Sequence, residues 1–286
     1  MLWENLREEE FEEAIKVSNK VCVIPMGCLE KHAQHLPVGT DTQLAVYVAQ
    51  KAAEIEPVVV FPGLYFGDLL GLYMWKGTIA FSSELLQRML TELCAEIARN
   101  GFKKILILNV HGGNAALLSN FLRSTAHEKK DYVVMVRRET QYNHKDLVQA
   151  LDAGEVFPEL LPEDIAYLRE SVAEHHTYGH AGIIETSEML AVNPDAVDMS
   201  RADVDNGVSR HRTDYLSQKG IGINGSTMFW LTDFPDSFAG EKLERANARI
   251  GKALLRKSIE QQAEAVRLLK QDDRVLEWNA EHNAKF

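Results

Sequence analysis

The feature that most constrains this chain is a repeated change of hydrophobic period. Short unbroken apolar runs alternate with longer amphipathic stretches: VCVIPM at 21–26, DTQLAVYVAQKAAEIE at 41–56, VVVF at 58–61 and SSELLQRMLTELCAEIARN at 82–100. KILILNV at 104–110, NAALLSNFLRSTAHEK at 114–129 and DYVVMVR at 131–137 continue the series. The apolar runs have strand length and no polar face, as strands covered on both sides do, and the stretches between them have helix length. The expected fold is therefore α/β with a mostly parallel central sheet. Ser82 or Ser83 suits the cap of the helix that follows, and Asn100-Gly101 suits its stop. A long helical period also runs through 237–271, whereas 62–81 is rich in Gly and aromatic residues and reads as a pocket-forming loop.

With 286 residues the chain could form one large α/β domain or two small ones. No linker, repeat or low-complexity tract divides it, so a single domain over 1–286 is expected. Its 31 Lys+Arg against 42 Asp+Glu leave a net charge of −11, which repels phosphate backbones and anionic lipid. A small-molecule partner is expected, with no nucleic acid and no membrane. No apolar run reaches the roughly 18 residues of a membrane span. The acidic start MLWENLREEEFEE lacks the basic region of a signal peptide. Three cysteines without finger spacing suit a reducing compartment, so a cytoplasmic location is expected.

Potential ligands concentrate directly after the first apolar run, in GCLEKHAQHLPVGTD at 27–41. Glu30 and His32 are two apart and share one side of an extended segment. Asp41 follows at the start of a helix, where its two oxygens could bridge two ions. Carboxylates mixed with imidazole suit zinc, manganese or iron(II). The plainer alternative is a polar loop in which Thr40 or Asp41 caps the helix and the histidines are solvated. Glu30, His32, His35 and Asp41 together favour a site, because ligands bind at the carboxyl edge of open α/β sheets. Cys28 reads as an ordinary buried thiol.

NVHGGN at 109–114 falls on the same edge. His111 sits where a ligand belongs, and Gly112 and Gly113 let the backbone approach a bound group closely. A tight turn with a hydrogen-bonded histidine explains the same residues. HHTYGHAGIIETSEML at 175–190 holds His175, His176, His180 and Glu185. His180 suits acid or base work. Glu185 is a candidate carboxylate, or simply a first-turn residue favoured by the helix dipole. His176 and Tyr178 beside them, together with Gly112, Gly113 and the loop residue Trp75, are the expected substrate-binding residues. Tyr65, Phe66 and Tyr73 join Trp75 as candidates for an apolar wall, with core packing as the alternative.

Taken in order, GCLEKHAQHLPVGTD, NVHGGN and HAGIIETS resemble the creatininase (creatinine amidohydrolase) family, as do Gly77-Thr78-Ile79, Gly222 to Ser226 and the AGEK at 239–242. The resemblance implies a three-layer α/β/α sandwich, a binuclear metal centre and a homohexamer. It implies Glu30, Asp41 and His111 as ligands of one ion, His32 with the bridging Asp41 for the second, and His180 near the substrate. Creatininase itself carries a glutamate two residues after the counterpart of His111; here that position is Gly113, and Glu185 is the replacement ligand expected. Val110 and Ile184 also depart from the commonest motif forms, so a specific substrate does not transfer.

The expected activity is that of a metal-dependent hydrolase with two divalent ions per chain, opening a small cyclic amide or other non-peptide C–N bond through a metal-bridging hydroxide. Two other readings stand beside it. One is hydrolysis of a cyclic ketose of the 3-dehydro-scyllo-inosose type at a C–C bond; the other is a non-catalytic module that binds a phosphate ligand at the glycine pair.

Overall fold

The computed structural model describes residues 1–69, 71–137, 142–175, 179–221 and 226–285. The chain begins with α1 (Phe11–Val17) and β1 (Val21–Met26), then α2 (Thr40–Ile55), β2 (Val59–Val60), α3 (Ser83–Arg99), β3 (Lys104–Asn109), α4 (Asn114–Ser124) and β4 (Val133–Arg137). Beyond the sheet lie α5 (His144–Asp152), α6 (Pro162–Ala173), α7 (Ile183–Val192), α8 (Asp214–Ser217), α9 (Thr227–Asp233), α10 (Ala248–Gln271) and α11 (Arg274–Asn283). The strands are all parallel, in the order β2-β1-β3-β4.

Strand periodicity explains the layers. Val21 and Val23 of β1 and Leu106 and Leu108 of β3 join a core with Leu44, Ala45 and Val48 of α2, Ile183 and Met189 of α7, and Leu254 and Leu255 of α10. Cys22, Ile24 and Met26, with Ile105 and Ile107, face the other way, onto Leu86, Leu90 and Cys94 of α3 and Leu117 and Phe121 of α4. Alternate residues of each central strand thus fill opposite cores, and the three-layer α/β/α expectation is met.

Pro25 lies inside β1 without breaking the sheet. The Val23 and Pro25 carbonyls both point toward β2 and accept from Phe61 N and Leu64 N, just past the end of that two-residue strand. The missing proline N–H therefore falls beyond β2, where no ladder bond is lost.

Helix boundaries differ from the expectation in two places. The helical period read over 237–271 becomes helix only from Ala248, because Asn247 caps it by accepting from Arg249 N and Ile250 N. Lys242 before it takes a left-handed φ of 57°, which no helix continues through. The stretch expected as helix to 129 ends at Ser124 and finishes as a 3-10 turn. Ser82 does cap α3, accepting from Leu85 N at 3.2 Å.

Candidate metal centre

Parallel neighbours β1 and β3 end side by side at Met26 and Asn109, so the loops that follow them open onto one edge of the sheet. The first loop carries Glu30 and His32 and leads into α2, whose first turn presents Asp41. The second presents His111. Residues before α7 bring His180, and the first turn of α7 brings Glu185.

Asp41 occupies the middle and is buried. Its Oδ1 lies 2.9 Å from His32 Nε2, and its Oδ2 lies 2.9 Å from His111 Nδ1 and 3.2 Å from Cys28 Sγ. Glu30 Oε1 is 2.9 Å from His111 Nδ1 and 3.7 Å from His180 Nδ1. Glu185 Oε2 accepts from Ala181 N at 2.7 Å and stands 3.6 Å from His32 Nε2. The rings of His32 and His180 are 4.2 Å apart.

Each of the three histidines has its outer nitrogen on a main-chain carbonyl. His32 Nδ1 meets Glu30 O at 3.2 Å, His111 Nε2 meets Asp68 O at 3.2 Å and His180 Nε2 meets Lys31 O at 2.7 Å. A carbonyl only accepts, so each outer nitrogen carries the ring proton. In the neutral ring the inner nitrogen is then a lone pair turned toward carboxylate oxygens. Such an arrangement calls for a cation between the facing acceptors. With no metal bound, a proton takes the place of that cation. Burial alone lowers the pKa of an imidazole, but the Asp41 charge and hydrogen bond outweigh it and push His32 up to about 10. Burial is likewise outweighed at His111, where Glu30 and Asp41 drive the shift upward. At Asp41 burial opposes ionisation, yet His32 and His111 hold the carboxyl well below its usual range. Glu185 moves the other way: its burial raises it, and Asp41 adds to that.

The residues present fit divalent ions. Glu30 Oε1 is buried with no hydrogen-bond partner, an orphaned acceptor aimed at His111. Among the described residues, donor atoms within 4.8 Å of one another form three groups: Cys28, Glu30, Asp41 and His111; His32, Asp41 and Glu185; and Glu30, His32 and His180. Asp41 belongs to the first two, one oxygen turned to each histidine.

Other expected residues divide. His35 turns away and shares a 2.9 Å hydrogen bond with Thr186 Oγ1. Phe66 packs on Phe81 in the α3-side core, and Tyr73 is exposed, so neither walls the site. Trp75 packs beside the cluster, against Cys28, Leu69 and Leu72, and Lys31 Nζ sits 4.2 Å over its ring. Gly112 faces open space. Gly113 makes room for His111, since a Cβ there would lie 2.4 Å from His111 Nε2 and 2.8 Å from Asp68 O. His176 and Tyr178 lie outside the described residues.

Two contributors went unnoticed in the sequence. Trp230 of α9 stands edge-on to His180, ring centres 5.6 Å apart at 84°. Asn114 is fully buried and joins three segments: Oδ1 accepts from Asp68 N at 2.8 Å, and Nδ2 donates to Asn109 Oδ1 at 2.9 Å and Gly27 O at 3.3 Å. The final residue of the HGGN motif is the only available signal for the second; nothing local marks the first. Asn114→Ala strands these partners at about 1–3 kcal/mol for each buried group left unsatisfied. The expected result is a lowered melting temperature together with weaker metal retention, read by calorimetry and elemental analysis.

Residues 4–266 match the family model Creatininase, described as creatinine amidohydrolase. A creatinine amidohydrolase of Pseudomonas putida is 26% identical over 198 residues, covering 68% of this chain and 72% of that protein. A 2-amino-5-formylamino-6-ribosylaminopyrimidin-4(3H)-one 5'-monophosphate deformylase of Methanocaldococcus infernus is 35% identical over 97 residues, or 34% of this chain and 43% of its own length. Among solved structures, a manganese form of creatininase superposes with a TM-score of 0.66 at 21% identity, over 95% of this chain and 99% of that one. That last likeness is one of fold. The family match spans nearly the whole chain and contains every residue of the cluster around Asp41: this protein belongs to the creatininase family.

Proposed function

We propose that this protein is a binuclear metal-dependent amidohydrolase that opens a small cyclic amide or related non-peptide C–N bond. The observation that carries the reading is Asp41, whose two oxygens face two different histidines, each with its outer nitrogen on a main-chain carbonyl. Glu30, Asp41 and His111 would hold one ion, and His32, Asp41 and Glu185 the other. Bound there, divalent metal supplies Lewis acidity that would lower the pKa of a water toward neutrality and polarise the scissile carbonyl. The kinship with proteins named as an amidohydrolase and a deformylase supports the amide class.

His180 does the proton work. Its Nε2–H is committed to the Lys31 carbonyl, so Nδ1 is free to take up a proton and pass it to the departing nitrogen. Packing between His32 and Trp230 holds its ring in place. Trp75 and Trp230 close the apolar side of the site, where they exclude water and flank a planar substrate ring. Packing of α10 on both α7 and α2 supports one domain across 1–286.

Elemental analysis tests the premise. After reconstitution with zinc or manganese and removal of free metal, about two equivalents per chain are expected. Release of amine or ammonia during a screen of cyclic amides and formamides then separates this activity from the opening of a cyclic ketose, which releases neither. A protein that retains no metal overturns the proposal.

A further inference from the structure

We propose that the two ion positions are unequal, because Cys28 gives its sulfur to the ion held by Glu30, Asp41 and His111 and turns that position into a closed, four-donor thiolate site. The inference rests on the metal reading above and goes beyond it. The position at His32, Asp41 and Glu185 has three donors in its group and keeps a coordination place open for water and substrate.

Cys28 does not behave as a strand-end core residue. Cys22, Ile24 and Met26 point into the apolar layer beneath α3, as does Cys94 of α3 itself. Cys28 lies beyond the strand, is completely buried and directs Sγ to 3.2 Å from Asp41 Oδ2. Its sulfur lies within 4.8 Å of the ligand atoms of Glu30, Asp41 and His111. A tetrahedral zinc site with bonds of about 2.0–2.3 Å sets its donor atoms roughly 3.3–3.7 Å apart, so small side-chain shifts bring the four into register. Independently of the cysteine, Glu30 Oε1 is buried, without a hydrogen bond, and aimed into the same space.

Coordination forms a metal–sulfur bond and breaks the S–H bond; the proton leaves to solvent, as in any thiolate site. Soft sulfur in a closed shell selects zinc, whereas the all-oxygen and nitrogen set opposite admits manganese or iron(II).

Cobalt(II) provides the test in the intact protein. Titrated into metal-free protein, it is expected to produce a near-ultraviolet thiolate-to-cobalt charge-transfer band that saturates at one equivalent while a second equivalent binds without adding to it. Cys28→Ser loses the band, still binds cobalt, and holds zinc at the tight position at least about tenfold more weakly. Cys22→Ser and Cys94→Ser keep the band. Two bound cobalt ions with no charge-transfer band in the unaltered protein overturn this inference and leave the amidohydrolase reading standing. No bound cobalt overturns both.

Discussion

Asp41→Ala removes bound metal and turnover together. Both carboxylate oxygens are engaged, one at His32 and one at His111, so a single substitution disrupts both of the proposed ion positions. The change also removes the carboxylate that lies between two buried histidines. Loss of Lewis-acid stabilisation worth several kcal/mol corresponds to a fall in turnover of about a thousandfold or more. Metal content, rate and circular dichroism should be followed on the same sample. A folded variant with full metal and undiminished rate would falsify the assignment of Asp41 as the bridge.

Gly251→Val has the second-largest expected effect, and it acts from outside the cluster. Gly251 lies in α10 where that helix crosses α7, and a Cβ at this position would lie 1.9 Å from Ser187 O and 2.8 Å from Glu188 N. Both are main-chain atoms, so the contact cannot be relieved by a rotamer change. A glycine inside an exposed helix costs about 1 kcal/mol relative to alanine, and here the close crossing accounts for its presence. A valine side chain must separate the helices, at about 1–3 kcal/mol or more of overpacking. At this chain length each kcal/mol lowers the melting temperature by roughly 2–4 °C. Because Ser187 is two residues from Glu185, occupancy of the position at His32, Asp41 and Glu185 falls as well. Gly251→Ala gives a smaller version of both changes. Unaltered melting and metal content in the valine variant would mean that the helices do not cross this closely.

How far the sequence announced this architecture depends on how local each signal is. β1 was readable to the residue because six apolar positions in a row admit few other placements, and Pro25 turned out to be harmless once β2 proved short. Glu30, His32, Asp41 and His111 were readable because each sits within a few residues of a strand end or helix start, and parallel strands put such points on one edge. The start of α10 was not, since the apolar period continues upstream of the Asn247 cap. Glu185 posed a different problem: periodicity places it on the first turn of α7 but does not say where the carboxylate points. In the structure it does two things, accepting from Ala181 N and facing His32. Trp230 was invisible because its place beside His180 is made by a contact across fifty positions of chain.

The hydrogen bonds behind the three histidines have a further consequence for how such a protein can diverge. Every outer nitrogen is held by a main-chain carbonyl, of Glu30, Lys31 or Asp68, and no amino-acid exchange deletes a carbonyl. The tautomers are therefore insulated from drift in neighbouring side chains. Substitutions at Trp75 or Trp230 alter the aromatic surroundings of the cluster and leave those carbonyls in place. The two are thus carried by different parts of the chain, the aim of the imidazoles by backbone geometry and their aromatic surroundings by side chains.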